Sequence, residues 1–255
     1  MSASVNTIGF PSGLTSKPGF MWTQTFAPDR FVPVKSPSYG LIPAVRVTVR
    51  PGDVVYGGER SELATLQDAN GAQIIEAPGT TQFFAFSVLV PTDWQSPQAM
   101  INGALWGIIL QLHNPDDMGG SPSVAFNLTD RFSLTLNAAN LDLAFYSKTY
   151  PFSDAGALNA GRWTDFVMAV TFATDLTGAV MIWRRNEGAS FFTQVLNVSG
   201  VQTLATKPSA TVTKQFYWKQ GLYRSPSPAV TNVHFTTGLV RAPDFATAVA
   251  AAFGG

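Results

Sequence analysis

The chain has 255 residues, enough for one large core, and carries 45% hydrophobic but only 13% charged residues, about half the usual charged share. With 16 basic and 16 acidic residues the formal net charge is zero, which argues against nucleic acid as a partner, since that binding is driven by many phosphate contacts. The absence of cysteine and the wide separation of the two histidines, His113 and His234, exclude disulfides and Cys/His metal sites, so neither cofactor nor metal is expected.

The opening stretch "MSASVNTIGFPSGLTSKPGF" shows neither the basic nor the apolar region of a signal peptide. The longest apolar runs, such as "WGIILQL", are far too short to span a bilayer, so no membrane partner is expected. Residues 1–40 are rich in Pro, Gly and Ser, and "PDRFVPVKSPSYG" reads as extended, turn-rich chain rather than regular structure.

Short β-type runs follow, each bounded by Gly, Pro, Asn or Asp: "AVRVTVRPGD", "TQFFAFSVLVP", "WGIILQLHN", "SVAFNL", "RFSLTLN", "LDLAFYS", "TDFVMAVTFA", "GAVMIWRR", "KQFYWKQGLYR" and "AVTNVHFTTGLV". Strands at this spacing, with almost no helical periodicity, predict an all-β, two-sheet sandwich of the jelly-roll type, as a single domain over residues 1–255. The tail "APDFATAVAAAFGG" has a Pro-Asp start, an Ala-rich interior and a Gly-Gly stop, and predicts a peripheral helix over 243–253.

Three of these strands carry chemically specific polar faces, because strand side chains alternate between sides. In "YWKQGLYRS", Tyr217, Lys219 and Tyr223 share one side. In "WGIILQLHN", alternation assigns Trp106, Ile108, Leu110 and Leu112 to the core, and Gln111 and His113 to the other face. In "GGERSELA", Arg60 and Glu62 share a face. Taken singly, each is ordinary: a strand-end histidine is more often a hydrogen-bonded surface group, an Arg-x-Glu strand a cross-strand ion pair, and a strand-end tyrosine a packing residue.

Together, "RSEL", "QLH" and "YWKQGLYR", in that order, resemble the alginate-lyase type of polysaccharide lyase. That pattern is an Arg-Ser/Thr-Glu-Leu-Arg strand, a Gln-Ile/Val-His strand and a Tyr-Phe-Lys-Ala-Gly-Ile/Val-Tyr strand. The stretches "FFAFSVLVPTDW", "GIILQLHNPDDMGGSPSVAFNL", "GRWTDFVMAV" and "TGAVMIWRRNEG" look like the related glucuronan-lyase and heparin-lyase-I-like families, whose concanavalin-like jelly roll the chain is expected to share. The resemblance covers roughly residues 50 to 240.

What the resemblance implies is β-elimination of a uronate glycoside in an acidic polysaccharide. Removing the weakly acidic sugar proton beside the carboxylate builds negative charge there, so cations and hydrogen-bond donors must stabilise it. By resemblance Arg60 and Gln111 fill that role with help from Lys219, and His113 and Tyr223 are the candidates for base and acid, with Tyr223 serving as both or His113 taking one step according to the stereochemistry of the uronate. A tyrosine base would need nearby positive charge, which Arg60 and Lys219 could supply. The site expected is thus Tyr223, His113, Gln111 and Arg60 as catalytic residues, with Lys219, Glu62, Tyr217 and Arg224 as substrate-binding residues.

Two departures stand out: Ala64 replaces the second Arg of the first motif, and Gln220, where the pattern has a small residue, points toward the core and needs a partner. The loop "NPDDMGG" lacks the spacing of an EF-hand and reads as a turn-rich rim loop. The sequons at Asn127 and Asn197 are of a kind frequent by chance, and Trp94, Trp183 and Tyr146 are aromatics that could stack on sugars or fill the core.

The competing reading is a non-catalytic carbohydrate-binding or structural module on the same fold, such as a phage tail or virion component touching host glycans. The low charge content fits a surface covered by neighbouring subunits, which leaves homo-oligomers and virion assembly open. Either reading places the protein outside a cell or on a virion.

Overall fold

The computed structural model describes residues 6–8, 20–34, 44–68, 70–97, 105–138, 140–142, 147–226 and 229–254. Two antiparallel sheets pack face to face. The front sheet runs β11 (Lys148–Pro151), β10 (Phe132–Leu136), β9 (Val124–Leu128), β8 (Gly107–His113), β15 (Tyr217–Arg224), β6 (Gly58–Leu66) and β2 (Phe20–Thr25), with the short β5 (Val54–Val55) hairpinned to β6. The back sheet runs β14 (Thr193–Val201), β13 (Gly178–Asn186), β12 (Trp163–Thr171), β7 (Thr81–Leu89), β16 (Asn232–Thr237), β4 (Ala44–Val49) and β3 (Phe31–Val34). Two further strands, β17 (Leu239–Ala242) paired with β1 (Asn6–Ile8), attach to β7 and bring the back sheet to nine strands. This is the all-β jelly-roll sandwich expected from the spacing of the apolar runs.

The two inner faces meet in an aromatic layer. Phe86 packs edge-on against Phe126 at 5.3 Å, and Phe126 likewise against Phe166 at 5.0 Å. Trp218, from the opposite face of the functional strand β15, lies 4.4 Å from Phe84 across the sandwich. Edge-to-face geometry of this kind adds to the burial of the rings themselves. Because Trp218, Gln220 and Leu222 are anchored in this layer, Tyr217, Lys219 and Tyr223 are held on the outer side of the front sheet.

Helix α1 (Phe245–Phe253) starts at Asp244, whose side chain accepts a hydrogen bond from the Thr247 amide, and closes at Gly254. It buries Ala248 and Ala252 against Ala85, Val167 and Val240 on the outer face of the back sheet, away from the site.

The N-terminal segment is more regular than its composition suggests. β2 and β3 are strands, and Pro28–Arg30 is a 3-10 turn whose Arg30 is bonded through Nε to Asp53 at 2.6 Å. Pro, Gly and Ser density marks turns, but sheet pairing to β6 and β4 overrides it here. The edge strands β11 and β14 were not legible in the apolar pattern either, being half-exposed. Most of the expected strand "LDLAFYS", and Tyr146 within it, lies outside the described residues. Among the described residues no helix is long and apolar enough to cross a membrane.

Candidate active site

Three adjacent strands, β8, β15 and β6, bring the motif residues onto one face. Pairing sets Tyr223 opposite Arg60, Gly221 opposite Glu62, Lys219 opposite both Ala64 and Gln111, and Tyr217 opposite His113. Directly paired residues point to the same side, so these side chains converge.

Two irregularities make the convergence work. The β15–β8 register shifts between Gln220 and Tyr223, at Gly221, whose φ of 153° no other residue adopts readily. A Cβ there would collide with the Ser61 carbonyl, so this position requires glycine. The second shift, between Ile108 and Leu110 in β8, corrects the simple alternation drawn from the sequence. Ile109 enters the core, while Trp106 and Ile108 turn out to line the cleft beside His113.

The cleft has a volume of about 1040 Å³ and is lined at one end by Arg60, Trp106, Ile108, His113 and Tyr223. Tyr223 is clamped there: Trp106 packs edge-on at 4.3 Å and the Arg60 guanidinium lies 3.7 Å from the ring centroid. Gly58 makes room for the ring, since a Cβ at that position would overlap it.

Beneath the floor lies a buried charged layer. Glu62 accepts from Arg60 Nη1 at 3.3 Å and from Gln111 Nε2 at 2.5 Å. Gln24 on β2 accepts from Lys219 Nζ at 3.1 Å and more loosely from Arg60 Nη1 at 3.4 Å. Burial pushes the Glu62 carboxyl up, and the Lys219 and Arg60 charges oppose that shift. Burial likewise pulls the Lys219 ammonium down, opposed by Glu62. The layer therefore packs the Arg60 guanidinium and the Lys219 amine around the Glu62 carboxyl close under the cleft. Arg60 Nε and Gln111 Oε1 are buried with no hydrogen-bond partner among the described residues.

His113 is held at the far side of this layer. Its ring lies tilted against that of Tyr217, with centroids 4.9 Å apart, and the Tyr217 hydroxyl donates to Asp116 at 2.8 Å. Its Nδ1 lies 2.6 Å from the Asn114 carbonyl, which can only accept, so Nδ1 carries the proton and Nε2 the lone pair. Burial, and then the charge of Lys219, lower the His113 pKa to about 4, which keeps the ring neutral at physiological pH.

Of the expected site residues, Arg60, His113 and Tyr223 line the cleft, while Gln111, Glu62 and Lys219 form the layer below and Tyr217 props His113. Arg224 does not belong to the site. Its side chain is 0% exposed on the opposite face of β15, bonded to Glu59 at 2.7 Å and to the Val230 carbonyl at 2.6 Å. A buried guanidinium needs such partners, and with them it is a structural anchor rather than a substrate contact.

Gln220 finds its core partners in Thr236 Oγ1 and the Thr237 carbonyl. The acidic groups of "NPDDMGG" are spent on latching: Asp117 accepts from Thr213 and Asp116 from Tyr217. Among the described residues no cluster of three metal-ligating side chains exists. Of the aromatics considered for stacking, Trp94 donates to the Thr129 carbonyl and packs on the core, and Trp183 packs under helix α1. Gln24 was missed by the sequence reading, because its partners Arg60 and Lys219 lie 36 and 195 residues away.

A family model described as polysaccharide lyase matches residues 12–238. Among solved structures, an endo-β-1,4-glucuronan lyase from the fungus Trichoderma reesei superposes with a TM-score of 0.64 at 18% identity, over 96% of this chain and 97% of that one. A PL-14 alginate lyase from Aplysia kurodai gives 0.53 at 10% identity, over 96% and 100% of the two chains. A polysaccharide lyase family-7 alginate lyase gives 0.51 at 15% identity, over 86% of each. At these identities the likeness is one of fold. No curated protein sequence matches the chain.

Proposed function

The chain belongs to the polysaccharide lyase family, and on that premise we propose that it cleaves a uronate-containing polysaccharide by β-elimination in the cleft between His113 and Tyr223. The observation that carries this reading is the convergence of an imidazole, a phenol and a guanidinium on one cleft, above a layer that holds a second basic group, Lys219.

The division of labour follows from protonation. A base must start without a proton, and His113 does, with its Nε2 lone pair left by the bond from Nδ1 to Asn114. A phenol brings a proton to give, so Tyr223 is the acid. His113 takes the proton from C5 of the uronate, the C4–oxygen bond breaks, a C4–C5 double bond forms, and Tyr223 protonates the leaving glycosidic oxygen. Charge building on the uronate carboxylate is met by Arg60 directly, and by Lys219 and Gln111 from below, where low dielectric strengthens their effect. Glu62 holds Arg60 and Gln111 in place.

The test is ultraviolet absorbance of uronate polymers incubated with the protein. Growth of the absorption of a conjugated, unsaturated uronate supports the elimination. A flat trace with every polymer that the protein binds would overturn it. As an acidic-polysaccharide lyase it would work outside the cell or on a virion, where such polymers are met.

A further inference from the structure

We infer that the half of the cleft built on β9, β10 and β11 receives uncharged sugars, so that the substrate carries uronates spaced by neutral sugars rather than a continuous run of uronates. This deepens, and rests on, the lyase reading above.

Moving away from Tyr223 along the front sheet, the cleft floor consists of Ala125 and Asn127 on β9, Ser133 and Thr135 on β10, and Thr149 on β11. Register makes this one continuous patch, since Asn127 pairs with Ser133 and Thr135 pairs with both Ala125 and Thr149. From β8 to β11 it spans three strand spacings, about 14 Å, room for a few sugar rings. The groups are linked to one another: Asn127 Nδ2 donates to Thr135 Oγ1 at 3.0 Å, and the Thr135 and Thr149 hydroxyls are 2.9 Å apart. Hydroxyls and amides both donate and accept, which matches the hydroxyls of a neutral sugar.

No formal charge stands on that floor among the described residues. The charges that line this part of the cleft are Arg131 and Asp130 at the rim, paired with each other at 3.0 Å, which leaves little field for an anion. Lys148, next to Thr149 on β11, alternates to the other side, where its Nζ lies 4.8 Å from the Tyr150 ring. A polyuronate would lay a carboxylate on this surface with every sugar. Each would lose hydration without gaining a cation, whereas a neutral sugar exchanges hydroxyl partners at little cost.

The other flank points the same way. Where the family pattern has a second arginine, this chain has Ala64, and directly across from it on β2 stands Trp22, half-exposed. An indole face packs against a sugar ring whatever the ring's charge. Cationic recognition is thus concentrated at Arg60 and Lys219, enough for a uronate at the bond to be cut.

Binding by the Tyr223→Phe variant, compared between spaced-uronate polymers (hyaluronan and a xanthan-like chain) and the polyuronates glucuronan and alginate, tests this without turnover. The expected result is at least about tenfold tighter binding of a spaced-uronate polymer. Thr149→Lys in the same background, at an exposed edge-strand position, should narrow that ratio. Equal or tighter binding of the polyuronates, or no binding of either spaced-uronate polymer, would overturn the inference. Wild-type protein assayed on the same polymers separates the two claims: binding without unsaturated product removes the lyase reading and leaves the subsite assignment standing.

Discussion

The Arg60 guanidinium lies 3.7 Å from the centroid of the Tyr223 ring, and the two residues face each other across neighbouring strands. Stacking immobilises the phenol, and Trp106 packs edge-on against it, so the ring is in place before substrate arrives.

Tyr223→Phe keeps the stacked ring and removes the hydroxyl. Loss of a positioned acid should lower kcat by about 10²- to 10⁴-fold with little change in KM. Thermal stability should stay within a degree or two of wild type, because no buried packing is lost. Turnover near the wild-type rate would remove Tyr223 from the chemistry.

Tyr56 sits at the cleft rim, 81% exposed, in the two-residue turn between β5 and β6. Its φ is 46° and that of Gly57 is 78°, the type I′ geometry in which Asn-Gly is favoured. A tyrosine in the left-handed region costs about 1 kcal/mol or more, and nothing about the turn requires it. Tyr56→Asn should therefore raise the melting temperature by a few degrees while raising KM for polymer, since the exposed ring is lost from the rim. A stabilised variant with unchanged KM would show that the ring does not touch substrate.

His113 must be neutral to accept a proton, and its pKa is lowered to about 4. The value of kcat/KM should hold steady as pH falls from 7 to 5 and drop only as pH passes through about 4. An acid limb near the ordinary histidine value of 6.5 would mean that the base is another group or that the ring is open to water.

How far the site could be read from sequence follows from what strand alternation sees. Alternation alone groups Arg60 with Glu62, Gln111 with His113, and Lys219 with Tyr223, and the three motifs together pointed to a shared face. It does not see a register shift, so Ile108 and Trp106 were assigned to the core although the irregularity beside Ile108 turns them to the cleft. Nor does it see partners remote in sequence. Arg224 resembled one more groove cation until Glu59, 165 residues away, claimed it, and Gln24 carried no local signal at all. The hydroxyl floor of β9 to β11 was not read from the sequence, because its place in the cleft depends on the order of strands in the sheet, which no single stretch encodes.

The second histidine sets a limit on where the acid limb can be measured. His234 is fully buried on β16 opposite Val47, and neither ring nitrogen has a hydrogen-bond partner among the described residues. Burial lowers its pKa from 6.5 to about 3. Below the ordinary value the unfolded chain binds a proton that the folded chain refuses, so stability is present above pH 6.5 and drains as pH falls toward 3. Each pH unit in that window costs about 1.4 kcal/mol from this group alone. His234→Leu removes both the titration and the unpartnered polar atoms, and should stabilise the protein by about 1 kcal/mol at neutral pH and by more at pH 5. Denaturant titrations of wild type and variant at the two pH values check this. Parallel losses of stability on acidification would show that His234 is not the group responsible, and a stabilised variant would carry the His113 profile down to pH 4 on folded protein.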